Sequence, residues 1–129
     1  GEGTLADALL APHPSYLTEL QAAFAVPGVR VIAHITGGGL EENVPRVLPE
    51  WAGARLDVGW WTPPPVFDVI AADQGIDRAE MYRVFNMGIG LAIVVAREDE
   101  EPLLRAIQGS FTAGEIVERD EPRVVLAGL

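Results

Sequence analysis

One stretch gathers the residue types from which a ligand site can be built: His34-Ile35-Thr36-Gly37-Gly38-Gly39-Leu40-Glu41-Glu42-Asn43-Val44-Pro45-Arg46-Val47-Leu48-Pro49. An imidazole such as His34 can hydrogen-bond a substrate or shuttle a proton at neutral pH. Three successive glycines let the backbone turn tightly and come close to a ligand. The first amides of a helix after such a loop point outward without partners of their own, which suits an anion. Arg46 supplies a guanidinium fork for phosphate or carboxylate. Each feature also has an ordinary reading. The triplet matches neither the dinucleotide fingerprint nor the Walker A loop and can be a plain turn. His34 can be a structural tie to a backbone carbonyl, Glu41 a solvated acid, and Arg46 a surface charge.

Other chemistries find no support. The chain has no cysteine, so disulfides and thiolate nucleophiles are excluded. Its two histidines, His13 and His34, lack the spacing of a metal site, and no metal-ligand cluster or nucleophile motif is visible. The net charge of −10 disfavours nonspecific nucleic-acid binding, which needs clustered basic residues. All nine basic residues are arginine. No apolar run approaches the roughly 18 residues of a membrane span, and no basic start precedes an apolar leader. The expectation is a cytoplasmic protein with no nucleic-acid or membrane partner. A chain that opens on Gly1 rather than methionine is expected to be a piece of a longer product.

At 129 residues and 49% hydrophobic, the chain reads as one domain with a single core. Thr4 to Leu10 is a short helical entry. Tyr16 to Val26 carries a helical apolar face, with Ser15 as N-cap and Pro27-Gly28 as stop. Val29 to Ile35 alternates as a strand, with Val29, Val31, Ala33 and Ile35 on one face and Arg30 and His34 on the other. After the glycines, Pro45 conflicts with a helix that starts near Gly39. A loose turn over Glu41 and Glu42 is expected, then one or two helical turns capped by Asn43. Ala54 to Val58 is a strand, and Val66 to Ala72 a helix with Pro65 near its start. Trp60 and Trp61 read as core or interface anchors. Asp77 caps a helix from Arg78 to Phe85 in a capping-box pattern. Asn86-Met87-Gly88 turns into a strand from Ile89 to Ala96, and Glu98 to Gln108 is a last helix. Phe111 to Glu118 and Arg123 to Ala127 close the chain as a hairpin. The pattern predicts an α+β domain, a mixed four- to five-stranded sheet with helices packed against it.

The wording of the block from His34 to Pro49 closely resembles a signature of the aminoimidazole ribonucleotide synthetase family, the phosphoribosylformylglycinamidine cyclo-ligases. Met81-Tyr82-Arg83-Val84-Phe85-Asn86-Met87-Gly88-Ile89-Gly90 resembles the family's other C-terminal signature, and Gly114-Glu115-Ile116-Val117 its terminal strand. The resemblance covers nearly the whole chain and concerns the C-terminal domain of a two-domain enzyme, a fold partly ferredoxin-like. One segment departs: where the family has Pro-Thr-Arg-Ile-Tyr, this chain has Pro12-His13-Pro14-Ser15-Tyr16, with no counterpart of the arginine.

The resemblance implies ATP-dependent ring closure of formylglycinamidine ribonucleotide to aminoimidazole ribonucleotide in purine biosynthesis. It implies a homodimer and an ATP-binding N-terminal domain that holds ATP and magnesium and is absent here, which leaves this piece inactive alone. The substrate-binding residues it implies are His34, Thr36, Gly37, Gly38, Gly39, Glu42, Asn43, Arg46, Asn86, Met87 and Gly88, with no catalytic residue assigned. Two alternatives stay open. One is another superfamily enzyme, such as formylglycinamidine ribonucleotide synthase, selenophosphate synthetase or thiamine-monophosphate kinase. The other is a noncatalytic binding module of the same fold.

Overall fold

A computed structural model describes residues 3–11 and 15–129. Two short helices open the chain, α1 (Leu5–Leu10) and α2 (Leu17–Phe24). β1 (Val29–His34) leads through the glycine loop into α3 (Gly39–Asn43) and a 3₁₀ turn, Pro45–Val47. β2 (Ala52–Asp57), a 3₁₀ turn at Val58–Trp60, α4 (Pro65–Gln74) and α5 (Arg78–Val84) follow. β3 (Leu91–Val95), a 3₁₀ turn at Arg97–Asp99, α6 (Glu100–Ala106), β4 (Gly114–Glu118) and β5 (Val124–Ala127) complete it.

The α+β class holds, with helices packed on strands that pair in both senses. The five strands divide between two hydrogen-bonded sheets. β1 pairs antiparallel with β3, while β2 lies between an antiparallel β4 and a parallel β5. The closing strands are therefore not a hairpin, because β2 separates them. Arg123 helps set this order: its guanidinium donates to the carbonyls of Leu48, Pro49 and Ala52. This ties the entry of β5 to the entry of β2.

Local signals explain several element boundaries. Thr4 and Asp7 form a reciprocal capping box on α1. Asp77 accepts the Glu80 amide at 2.9 Å to start α5. Gly75 closes α4 in the left-handed region at φ 63°. Three expectations need correction. Tyr16, not Ser15, occupies the N-cap of α2, and Ser15 Oγ only meets the Leu17 amide at 3.5 Å. Asn43 is not a cap but the last residue of α3, which begins at Gly39. Pro45 causes no conflict, because α3 ends before it and the chain continues as a 3₁₀ turn with Pro45 at its start. The faces of β1 also differ, since its register shifts between Val29 and Val31. That irregularity turns Val29 away from Val31 and Ala33 and toward the cluster that holds Ile32.

The main core fills the space between β1 and β2. Ala33, Ile35, Ala52, Ala54 and Val124 supply its walls, and Leu40, Val44 and Leu48 plug it from the segment after the glycine loop. Those three recur at intervals of four, so one face of the segment is driven inward. A second cluster lies under α2 and α6 (Ala23, Val26, Leu103, Ile107), and a third joins Val58, Met81, Tyr82 and Met87. Trp61 touches the first and third clusters, as an anchor should, whereas Trp60 is exposed.

Leu40 is the first residue of the plug and is buried. Leu40→Ala is expected to lower the unfolding free energy by about 2–4 kcal/mol, with the urea slope unchanged. Urea denaturation of parent and variant checks this; a loss under about 0.5 kcal/mol would mean that the plug does not bear on the core.

Candidate functional site at the glycine loop

Apart from Tyr82 with its hydroxyl, Asn43 is the one polar side chain buried among the described residues, at 5% exposure. Its Nδ2 donates to the carbonyls of Thr36 (3.3 Å), Gly37 (3.3 Å) and Gly39 (2.8 Å). Its Oδ1 accepts from Thr36 Oγ1 at 3.3 Å and from Arg46 Nη1 at 3.3 Å. One amide thus gathers the loop and reaches the arginine beyond it. Burial of a polar group is tolerable only when it is satisfied in this way.

The glycines do different jobs. Gly38 is left-handed at φ 93° and donates its amide to the Val84 carbonyl at 3.0 Å. Gly39, at φ 61°, donates to the Thr36 carbonyl at 3.1 Å. Two of the triplet's three amides are therefore spent inside the fold. A Cβ on Gly39 would collide with the Tyr82 carbonyl oxygen and lie 2.7 Å from that of Phe85, so this glycine lets α3 press on the end of α5. A Cβ on Gly38 would run into the Glu42 carboxylate, which folds back over the loop. Gly37 is exposed, with nothing within 4 Å of its Cβ position.

Opposite the buried Leu40 and Val44, the same segment presents charge. Arg46 is mostly exposed and pairs with Glu42 at 3.5 Å. Arg83 on α5 donates to Glu80 through Nε at 2.6 Å and through Nη2. The hydrogen bond to Glu80 holds the Arg83 guanidinium above its usual pKa, helped by the charges of Glu80, Glu41 and Glu42. The Arg83 hydrogen bond in turn lowers the Glu80 pKa. The acids after the glycine loop and the end of α5 thus share one electrostatic surface.

His34 ends β1, opposite Leu91 of β3, and is exposed. The Tyr16 ring meets its imidazole edge-on, 6.2 Å between centroids, and lies where a Cβ on Gly90 would be. The Ile35 amide donates to the Gly90 carbonyl at 2.9 Å, which joins the two signature blocks beside the loop. In the turn after α5, Asn86 Oδ1 accepts the Gly88 amide at 3.0 Å. Met87 has a left-handed φ of 51°, and its side chain is buried in the third cluster.

The sequence-assigned residues therefore separate by role. His34, Thr36, Gly37, Glu42 and Arg46 lie exposed around the loop, Gly88 is exposed on the neighbouring turn, and Asn86 and Gly38 are half-buried. Asn43, Gly39 and Met87 are buried and built into the fold. Sequence reasoning missed Tyr16 and Arg83. The Glu80–Arg83 spacing of three on a helix could have drawn notice to Arg83; nothing local links Tyr16 to His34. Pro12, His13 and Pro14 of the departing segment lie outside the described residues. Among the described residues no group of three or more His, Asp or Glu stands together as a metal site.

Comparison with known proteins places this arrangement. The family described as AIR synthase related protein, C-terminal domain, matches residues 1–127. The chain belongs to this family. It is 42% identical over 127 residues to a phosphoribosylformylglycinamidine cyclo-ligase of Bifidobacterium animalis subsp. lactis (strain AD011), covering 95% of this chain and 37% of that protein. It is 45% identical over 121 residues to the protein of the same name from Cupriavidus metallidurans (strain ATCC 43123 / DSM 2839 / NBRC 102507 / CH34), covering 91% and 35%. The chain thus spans just over a third of the length of these relatives. No helix among the described residues is long and apolar enough to cross a membrane.

Within this AIR synthase related domain, the triplet should not respond uniformly to an added methyl. Gly39→Ala should cost about 1–3 kcal/mol or more, from backbone collision and left-handed strain, while Gly37→Ala stays within about 0.5 kcal/mol. Thermal unfolding of both variants checks this, and equal Tm losses would contradict the packing described.

Proposed function

We propose that this chain is the C-terminal domain of an ATP-dependent cyclo-ligase that converts formylglycinamidine ribonucleotide to aminoimidazole ribonucleotide. The supporting observation is identity of 42% and 45%, over more than nine-tenths of the chain, to two proteins named for that reaction. In the reaction, the substrate's amide oxygen attacks the γ-phosphorus of ATP and ADP leaves. The amidine-side nitrogen then attacks the activated carbon, phosphate departs with the oxygen, and loss of two protons, one of them taken up by the phosphate, leaves the aromatic ring. Such transfers depend on positioning and on stabilising developing charge.

This chain's share is one wall of the substrate cleft. Arg46 offers a fork to an anionic group, the exposed Gly37 backbone allows close approach, and His34 and Thr36 offer hydrogen bonds from the loop edge. The described residues do not fit a magnesium–ATP site, since no carboxylate cluster stands together and the chain has no lysine. In this reading an ATP-binding N-terminal domain of the longer protein would hold ATP and magnesium. The exposed Leu9, Leu10, Leu17, Phe24, Trp51 and Trp60 fit a surface that meets other protein, either that domain or a second copy in a homodimer. Location in the cytoplasm, where purine synthesis proceeds, completes the reading.

The chain alone is expected to release no ADP in response to formylglycinamidine ribonucleotide. In the longer protein, Arg46→Ala should reduce kcat/KM by about 10²-fold, the scale for loss of a charged hydrogen-bond donor to substrate. Substrate-dependent ADP release by the pure chain would refute the division of labour. Undiminished kcat/KM in a folded Arg46→Ala protein would refute the site.

A further inference from the structure

Asn43 was expected to touch substrate, yet all its hydrogen-bonding directions turn inward or along the loop. It is buried, and its partners are Thr36, Gly37, Gly39 and Arg46. We infer that Asn43 is a positioning residue, which fixes the outward direction of the Gly37 amide and the placement of the Arg46 guanidinium without meeting the ligand itself. This rests on the reading of the loop as part of a substrate site.

The geometry follows from peptide planarity. Among the described residues, Glu121–Pro122 is the one cis bond, so the loop peptides are trans. In a trans peptide, the carbonyl of one residue and the amide of the next point to opposite sides. Drawing the carbonyls of Thr36, Gly37 and Gly39 onto Asn43 Nδ2 therefore turns the amides of Gly37, Gly38 and Leu40 away from it. The Gly38 amide is taken by the Val84 carbonyl, and Leu40 is buried. Gly37 is exposed, so its amide is the loop donor turned toward the open side. The other half of the same side chain, Oδ1, holds Arg46 Nη1 at 3.3 Å. Glu42 holds the second nitrogen at 3.5 Å, so the fork is steadied from both sides. Donor and acceptor of one amide thus control separate parts of the site, and this makes them separable by substitution.

Asn43→Asp keeps the acceptor for Arg46 and removes the donor to the three carbonyls. Asn43→Ala removes both, and Thr36→Val removes the hydroxyl arm. Amide exchange and the Arg46 Nε–H signal are read by ¹⁵N NMR on this chain, with and without inorganic phosphate. Asn43→Asp is expected to speed exchange of the Gly38 and Gly39 amides by at least about tenfold, with amides of the β1–β3 ladder changed less than about twofold. Its Arg46 signal should stay at the parent position, whereas Asn43→Ala should lose that position as well. Loop exchange within twofold of parent in Asn43→Asp would overturn the inference. So would an acceleration shared equally by the β1–β3 amides, because that is loss of stability and not of orientation. If Asn43→Ala fails to fold, Asn43→Asp and Thr36→Val decide on the same criteria. Failure of inorganic phosphate to move the Gly37 and Arg46 signals of the parent would instead remove the anion from the proposed site, and the orientation signals would still judge Asn43.

Discussion

The arrangement depends on one satisfied burial. A primary amide at 5% exposure would be costly without partners, and Asn43 meets that cost with three carbonyls, a hydroxyl and a guanidinium. The glycines make those bonds reachable. Left-handed Gly38 and Gly39 fold the loop back so that carbonyls six and seven residues earlier meet the same nitrogen as one four residues earlier. A bulkier residue at Gly39 would hold α3 away from α5, and the loop would lose its support from the Val84 carbonyl. The glycine triplet is thus first a packing device. Only what remains exposed after packing is left to meet the proposed ligand.

Around this centre, apolar and polar periodicity divide the labour of a short segment. Leu40, Val44 and Leu48 plug the gap between the two sheets, and Glu42 and Arg46 stay in solvent on the other side. Exposed ion pairs such as Glu42–Arg46 add little to stability. Their value lies in holding a guanidinium near a fixed place. The Glu80–Arg83 pair continues this surface onto α5, where Arg83 feels Glu41 and Glu42 as well. The two blocks that resemble the family signatures become neighbours through the Gly38–Val84 and Ile35–Gly90 hydrogen bonds.

Much of this was legible in the sequence. The α+β class, the element order and the cap at Asp77 followed from local patterns. The cyclo-ligase family followed from the wording of two blocks. Sheet partition was not legible: β5 joins β2 in parallel because of a nonlocal tie through Arg123, which no window of sequence contains. The inward role of Asn43 was also hidden. An asparagine before proline reads as a cap, and only the return of the loop carbonyls turns it into a hub. The Met87 side chain lies in the core on a left-handed backbone, which its place in the block did not reveal. The Val29 side chain was misplaced for a similar reason, since a register shift between strands leaves no mark in hydrophobic alternation.

The proposed wall of the substrate site is the exposed edge of this loop together with the Asn86–Gly88 turn. Titration of the ¹⁵N-labelled chain with formylglycinamidine ribonucleotide tests it most directly. The largest amide shifts are expected within residues 34–46 and 86–88, with little change along α2 or β5. Shifts centred instead on the groove lined by Phe24, Val26 and Arg30, or absent at saturating ligand, would contradict it.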